Sequence, residues 1–215
     1  MSFLSINQRN SKIMKVLKME IDFTGNKIKI KRELSILDKF AIGFAEMLEK
    51  NKIKYVVMGG YTSILFGKVR TTEDIDIFIE EMPFERFNEF MKKISKQGYE
   101  AMNSDDAKEL YSEFLKKGIA IRIFKKSIFP NAEIKFPKDE TDFVSLNSPT
   151  EVEINNKKIL VAPFEIQIAY KLYLGSKKDI EDAKFLFELA KEKISKEKLR
   201  KYANMLGADI KILGV

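Results

Sequence analysis

Apolar and polar positions along this chain switch between two periods, and each switch marks an element. Residues 16–32 alternate apolar and polar around Thr24-Gly25-Asn26, which predicts a hairpin. From residue 35 to about 50 the spacing becomes helical: Leu37, Phe40, Phe44, Met47 and Leu48 share a face, Ser35 caps it and Asp38 stands in the capping-box position. Residues 55–58 are then wholly apolar, the mark of a short buried strand. Gly59-Gly60 ends that strand, and a short helix should follow, with Ile64, Leu65 and Phe66 as its apolar face and Gly67 as its stop. Residues 74–80 alternate strictly, Ile75, Ile77 and Ile79 on one face and Asp74, Asp76 and Phe78 on the other.

Further on, Pro83 sits in the first turn of a helix whose Phe87, Phe90, Met91 and Ile94 face the sheet and which ends at Gly98. A second amphipathic helix starts at Ser104 and carries Ala107, Leu110, Tyr111 and Phe114. Residues 119–124 and 132–136 read as a hairpin joined through Pro130-Asn131. Residues 159–164 form a short apolar strand or turn that leads into a helix with Pro163 in its first turn and Gly175 at its end. Ser176 caps the next helix, with Asp179 three residues on and Ala183, Phe187 and Ala190 as its packing face. A last helix, capped by Ser195, packs through Leu199, Tyr202 and Leu206. The fold class this predicts is mixed α/β, in the α+β sense of one mixed sheet with flanking helices. Its expected parts are an N-terminal hairpin over 1–32, a core over 33–158 and a helical C-terminal segment over 159–215.

The chemistry concentrates in residues 55–80. Asp74 and Asp76, two apart on one strand, point the same way, and Mg²⁺ accepts a few carboxylates while keeping other positions for water and phosphate oxygens. That suits two-metal phosphoryl chemistry. Gly59-Gly60 lets backbone N–H groups approach a phosphate, and the helix beginning at Tyr61 offers unpaired N–H groups and the positive end of its dipole. Taken singly, a Gly-Gly is a turn and an Asp-x-Asp a solvated strand face. The ordered combination of strand, double glycine, helix-length spacer, Arg70-x-Thr72-x-Asp74-x-Asp76 and second strand is what points to a metal-bound nucleoside triphosphate.

Composition narrows the chemistry further. With 215 residues, 45% hydrophobic and 33% charged, the chain can bury a sizeable core. It has no cysteine and no histidine, which excludes disulfides, thiolate zinc sites, cysteine nucleophiles and histidine bases. Proton removal then falls to a carboxylate, a lysine, a tyrosine or metal-bound solvent. Lys plus Arg at 39 against Asp plus Glu at 32 gives a formal charge of +7, which favours polyanions such as RNA or a triphosphate. No apolar run approaches the roughly 20 residues of a membrane span, and the first nine residues lack a signal-like apolar region, so a cytoplasmic location is expected.

Gly59-Gly60 followed by Arg70-x-Thr72-x-Asp74-x-Asp76 resembles the signature of the polymerase-beta-like nucleotidyltransferase superfamily, in the variant seen in abortive-infection type IV toxins and related archaeal proteins. Pro163-x-Glu165 through Lys171, then Lys178-Asp179-x-x-Asp182, is similar to the later motifs of those toxins. The resemblance implies a nucleotidyltransferase-type mixed sheet, two Mg²⁺ ions with Mn²⁺ as a substitute, and transfer of a nucleotidyl group from an NTP to a hydroxyl acceptor. Asp74 and Asp76 would hold metal and Gly59, Gly60 and Tyr61 the phosphates. Arg70 and Lys171 would bring positive charge to the triphosphate and its leaving pyrophosphate, and Thr72 would orient the loop. The superfamily usually adds a third carboxylate on a neighbouring strand. Arg122 cannot fill that place, whereas Glu133, between Ala132 and Ile134, can; the alternative is that Glu133 is a solvated edge-strand residue. RNA, tRNA in particular, is an implied acceptor, and an antitoxin or other protein an implied partner. Two rivals share the fold: a non-catalytic RNA- or partner-binding protein, and a nucleotidyltransferase acting on a protein or small molecule.

Overall fold

A computed structural model describes residues 19–24 and 27–214. The start of the expected hairpin, its Gly25-Asn26 turn and the N-terminal residues read above for a signal lie outside the described residues. β1 (Glu20–Thr24) and β2 (Lys27–Lys31) pair antiparallel, as the alternation around residue 25 requires. α1 (Ile36–Lys50) begins at a complete capping box: Asp38 accepts from Ser35 N at 2.8 Å and Ser35 Oγ accepts from Asp38 N at 3.1 Å. Asp38 is fully buried and also takes both guanidinium nitrogens of Arg32 at 2.7 Å, so the cap ties the hairpin to the helix.

β3 (Tyr55–Met58), α2 (Gly60–Leu65) and β4 (Asp74–Ile79) follow as the periods predict, and α3 (Phe84–Ser95) buries Phe87, Phe90 and Ile94. β5 (Tyr99–Ala101) forms the far edge of the sheet. α4 (Ala107–Glu109) is capped by Asp106 rather than Ser104 and runs on through a π-helical turn, Leu110–Phe114, and a 3₁₀ turn, Leu115–Lys117.

β6 (Ile121–Lys125) and β7 (Ser127–Lys135) turn at Lys126, which adopts a positive φ of 64°, and not at Pro130-Asn131. The register explains the difference. Phe124 faces Asn131 while Lys125 faces Ser127, so residues 128–130 bulge out of the ladder, where a proline without an N–H breaks no hydrogen bond. Asn131 lies inside the strand. α5 (Glu140–Asn147), β8 (Thr150–Ile154) and β9 (Lys157–Val161) come next, then the helices α6 (Phe164–Leu174), α7 (Lys177–Ala190) and α8 (Lys196–Leu206).

The nine strands among the described residues form one mixed sheet in the order β1-β2-β8-β9-β3-β4-β7-β6-β5, with β2–β8, β9–β3 and β4–β7 parallel. The expected divisions at 32/33 and 158/159 therefore do not fall at breaks in the sheet; position 158 lies within β9. One face carries Val57, Ile75, Ile77, Ile121, Ile123, Ala132 and Ile134 against Phe44, Phe87 and Phe90, all at most 2% exposed. Burying each large side chain there contributes about 1.5–3 kcal/mol. The other face has a small cluster of Val56, Met58, Phe78, Leu146 and Ala162, with Tyr170 packed on it. Asp74, Asp76 and Glu133 stand on that second face, beyond the small cluster. No helix among the described residues is long and apolar enough to cross a membrane.

Candidate active site

β4 alternates Asp-Ile-Asp-Ile. The core pulls Ile75 and Ile77 to one side, leaving both carboxylates half-buried on the other. Asp74 is steadied by its neighbour in the parallel register: Asn131, 1% exposed, donates from Nδ2 to Asp74 Oδ1 at 3.1 Å. Asp76 is under more electrostatic pressure. Burial, with the charge of Glu133 beside it, pushes its carboxyl from the ordinary 3.8 up to about 6, against the pull of Lys135 and Lys171. This carboxylate lies directly on Gly59: a Cβ added there would meet Asp76 Oδ2 at 1.9 Å, and the backbone has a φ of +75°. Both the space and the dihedral call for glycine at that position.

Glu133 stands where a third carboxylate was expected, opposite Asp76 in the parallel β4–β7 register. It is not free. Arg122, facing it on β6, donates from Nε to Glu133 Oε1 at 2.5 Å and pairs with the same oxygen through Nη2. Met58, Asp76, Glu133 and Arg122 thus form a row across β3, β4, β7 and β6. Among the described residues no three or more carboxylate-type side chains are gathered closely enough to hold a metal ion.

Gly60 is constrained less than Gly59, by a cation and without a positive φ. A Cβ on it would meet Arg70 Nη2 at 2.7 Å, so the space over Gly60 holds a guanidinium. Arg70 in turn pairs with Asp182, which is fully buried and also receives Lys68 at 2.7 Å and Lys171 at 3.2 Å. Lys171, 4% exposed, makes a second pair with Asp179 at 2.8 Å. Burial opposes ionisation of Asp179, yet the bonds from Lys171 and Ser176 outweigh it and hold the carboxyl below its ordinary value. The result is a buried network of Lys68, Arg70, Lys171, Asp179 and Asp182. Its positive charges are largely balanced within the protein, so Arg70 and Lys171 do not face a ligand as bare cations.

Tyr61 is fully buried and its hydroxyl donates to Asp38 Oδ1 at 2.9 Å, so its ring belongs to the core and only its backbone remains at the start of α2. Glu165 accepts from the backbone N of Ser195 at 2.8 Å, joining α6 to the start of α8 rather than to the ion network. Thr72 makes only a long contact, 3.4 Å, to the carbonyl of Asp74. Two residues not singled out in the sequence fix the turn. Thr62 bonds to the Gly59 carbonyl at 2.7 Å and to Gln167, whose Nε2 donates to the Ala162 carbonyl at 2.8 Å. The sequence reads Asn131 as a turn residue and gives Arg122 no role; Asn131 shares strand parity with Glu133, the one local signal that it faces the site.

No family model and no curated protein matches the sequence. Among solved structures the chain is similar to an antigenic nucleotidyltransferase-like protein from Paracoccidioides brasiliensis, with a TM-score of 0.54 and 18% identity over 79% of this chain and 86% of that one. It is also similar to the antibiotic-resistance factor ANT(2'')-Ia, with a TM-score of 0.53 and 14% identity over 80% of this chain and 93% of that one. At such identities the likeness is one of fold, and the mixed sheet with flanking helices is a nucleotidyltransferase-type fold.

Proposed function

We propose that this protein is a metal-dependent nucleotidyltransferase that moves a nucleotidyl group from an NTP to a hydroxyl acceptor. The observation that carries the reading is the Asp74–Asp76 face of β4, with Asp76 resting on the first glycine of a strand–turn–helix unit. The donor set suits a hard divalent cation: both are carboxylates, and burial, with Glu133 beside it, penalises the charge of Asp76, a penalty that a cation would relieve. Asp74 and Asp76 would hold Mg²⁺ or Mn²⁺, with Glu133 joining them once released from Arg122. Bound there, the cation would supply charge neutralisation to phosphate oxygens and lower the pKa of an acceptor hydroxyl.

The protein's own groups do the positioning. Asn131 orients Asp74, and Thr62 with Gln167 fixes the carbonyl of Gly59, so the turn beneath Asp76 is set before any ligand arrives. Lys171 tempers the charge of Asp76 from the neighbouring ion network. RNA, including the 3′ end of a tRNA, is our preferred acceptor on the basis of the net charge of +7, which suits a phosphate backbone. A growth-inhibiting, toxin-like role would follow from such an activity.

One observation favours a second reading. Glu133 is engaged by Arg122 and among the described residues no three-carboxylate group is assembled, as suits a non-catalytic binding protein on the same fold. Incubation with each α-labelled NTP, Mg²⁺ and a cell extract separates the two. Label transferred to RNA, protein or a small hydroxyl compound, and lost in Asp76→Asn, supports the enzyme and identifies its acceptor; no transfer with any NTP supports the binder.

A further inference from the structure

We infer that the groove beside the start of α8 is a docking site for a single strand of RNA, whose phosphates meet Lys193 and Lys198 and one of whose bases stacks on Tyr202. This deepens the reading above: it rests on RNA as the partner and not on nucleotide transfer. The groove is a cavity of about 460 Å³ bounded by the β1–β2 hairpin, the end of α5, the start of α6 and α8. Phe23, Phe164 and Tyr202 line it, with Lys193 and Lys198 beside them. α5 joins it to the carboxylate face. Leu146 packs in the small cluster that holds Met58, the β3 neighbour of Asp76, while Val144 and Ser148 line the groove.

Charge selects the occupant. Residues 191–201 hold six basic against two acidic side chains, a net +4 in a chain of formal charge +7. Among the described residues only Lys191 of those six is in an ion pair, with Glu188; Lys193, Lys196, Lys198, Arg200 and Lys201 are exposed and in none. Residues 116–126 are also basic, yet Lys116, Lys117 and Arg122 there are paired with Glu81, Glu113 and Glu133. Near Asp76 the cations Lys68, Arg70 and Lys171 are taken by Asp182. The one carboxylate in the groove wall, Glu165, is engaged by the backbone N of Ser195. Tyr202 stands one turn after Lys198 and is half-buried, with Lys201 Nζ 6.0 Å from the centre of its ring, so cations and a ring are offered together. An acidic peptide would use the cations and leave the rings idle. A membrane surface would need large apolar side chains standing out of α8, and only Met205, near its far end, does so.

Fluorescence anisotropy of a labelled single-stranded RNA of about 12 nucleotides, read with the full-length protein across a range of KCl, tests this without reference to activity. Lys193→Gln combined with Lys198→Gln should weaken binding about tenfold at low salt and flatten the slope of log affinity against log salt by about 1.4, the counterions of two phosphates. The same charge loss at exposed cations on another face, Lys92→Gln with Lys96→Gln at the end of α3, should change both quantities far less. Tyr202→Leu should weaken binding about fivefold or more at an unchanged salt slope, and Tyr202→Phe should match the parent, because the ring and not the hydroxyl stacks. Equal effects of the two lysine pairs overturn the groove, since net charge alone would then explain binding. Undiminished binding by Tyr202→Leu overturns it as well, and displacement of the RNA by polyglutamate would then assign the cations to an acidic protein. Nucleotide transfer to RNA that ignores Lys193, Lys198 and Tyr202 sinks the groove and leaves the proposed function standing. RNA held in the groove with no transfer from any NTP does the reverse, and no RNA binding by the parent sinks the groove together with RNA as the acceptor.

Discussion

Asp76→Asn should make the metal-free protein more stable at neutral pH and leave it unchanged at low pH. The folded carboxyl titrates near 6 rather than 3.8, so between about pH 4 and 6 the folded state holds a proton that the unfolded chain has lost. The sign follows: stability is whole below about pH 4, falls as pH rises through 6 and stays reduced above it. At about 1.4 kcal/mol for each pH unit, the rise amounts to about 3 kcal/mol, and the partial exposure of Asp76 brings the expected loss to about 1–3 kcal/mol. Asparagine keeps the shape and removes the charge. Urea unfolding in EDTA, followed by far-ultraviolet circular dichroism from pH 4 to 8, should show parent and variant nearly matched at pH 4 and the variant ahead by that amount at pH 7.5. Millimolar Mg²⁺ should then stabilise the parent and not the variant. A difference that stays flat across pH, or a variant weaker at pH 7.5, refutes the claim that burial beside Glu133 penalises the charged form of Asp76.

Gly59→Ala should cost more than about 2 kcal/mol, since its Cβ would lie 1.9 Å from Asp76 Oδ2 on a backbone at φ +75°. Thermal unfolding reads that loss, and the Mg²⁺-dependent stabilisation should vanish with it because Asp76 must move. Asp182→Asn should destabilise by about 3–5 kcal/mol in urea titrations, because it strips the shared counter-charge from Lys68, Arg70 and Lys171 in a buried setting.

What the sequence discloses here follows from the range of the interaction concerned. The period of two in residues 74–79 is a local property, so the shared face of Asp74 and Asp76 could be read directly, and so could the Ser35–Asp38 capping box. The β8–β9 hairpin is equally local, though easily lost: Asn155 and Asn156 both adopt positive φ, 47° and 64°, in a two-residue turn of the kind asparagine tolerates, between Val152 and Ile154 on one side and Ile159 and Val161 on the other. Pro130-Asn131 misleads because its turn propensity is overruled by the parallel pairing of Asn131 with Asp74, a contact with a strand more than fifty positions earlier. The glycines show the same divide. That residue 59 needs glycine is legible, but the cause is the carboxylate of Asp76, which the sequence places on another strand.

Charge states were the least legible feature, and they decide the chemistry. Asp182 has the spacing of a surface residue on an amphipathic helix, yet it is fully buried because Lys68 and Arg70 reach it from 114 and 112 positions away. Arg122 and Glu133 look like unrelated residues on two strands until the register sets them side by side. A sequence thus names the groups able to bind a cation or a phosphate, while the fold determines which of them are already neutralised. Here the fold neutralises Asp182, Lys171 and Glu133 through internal partners and leaves Asp76 exposed to its own burial cost. On the function proposed above, that asymmetry makes Asp76 the position where an added cation would relieve the largest penalty.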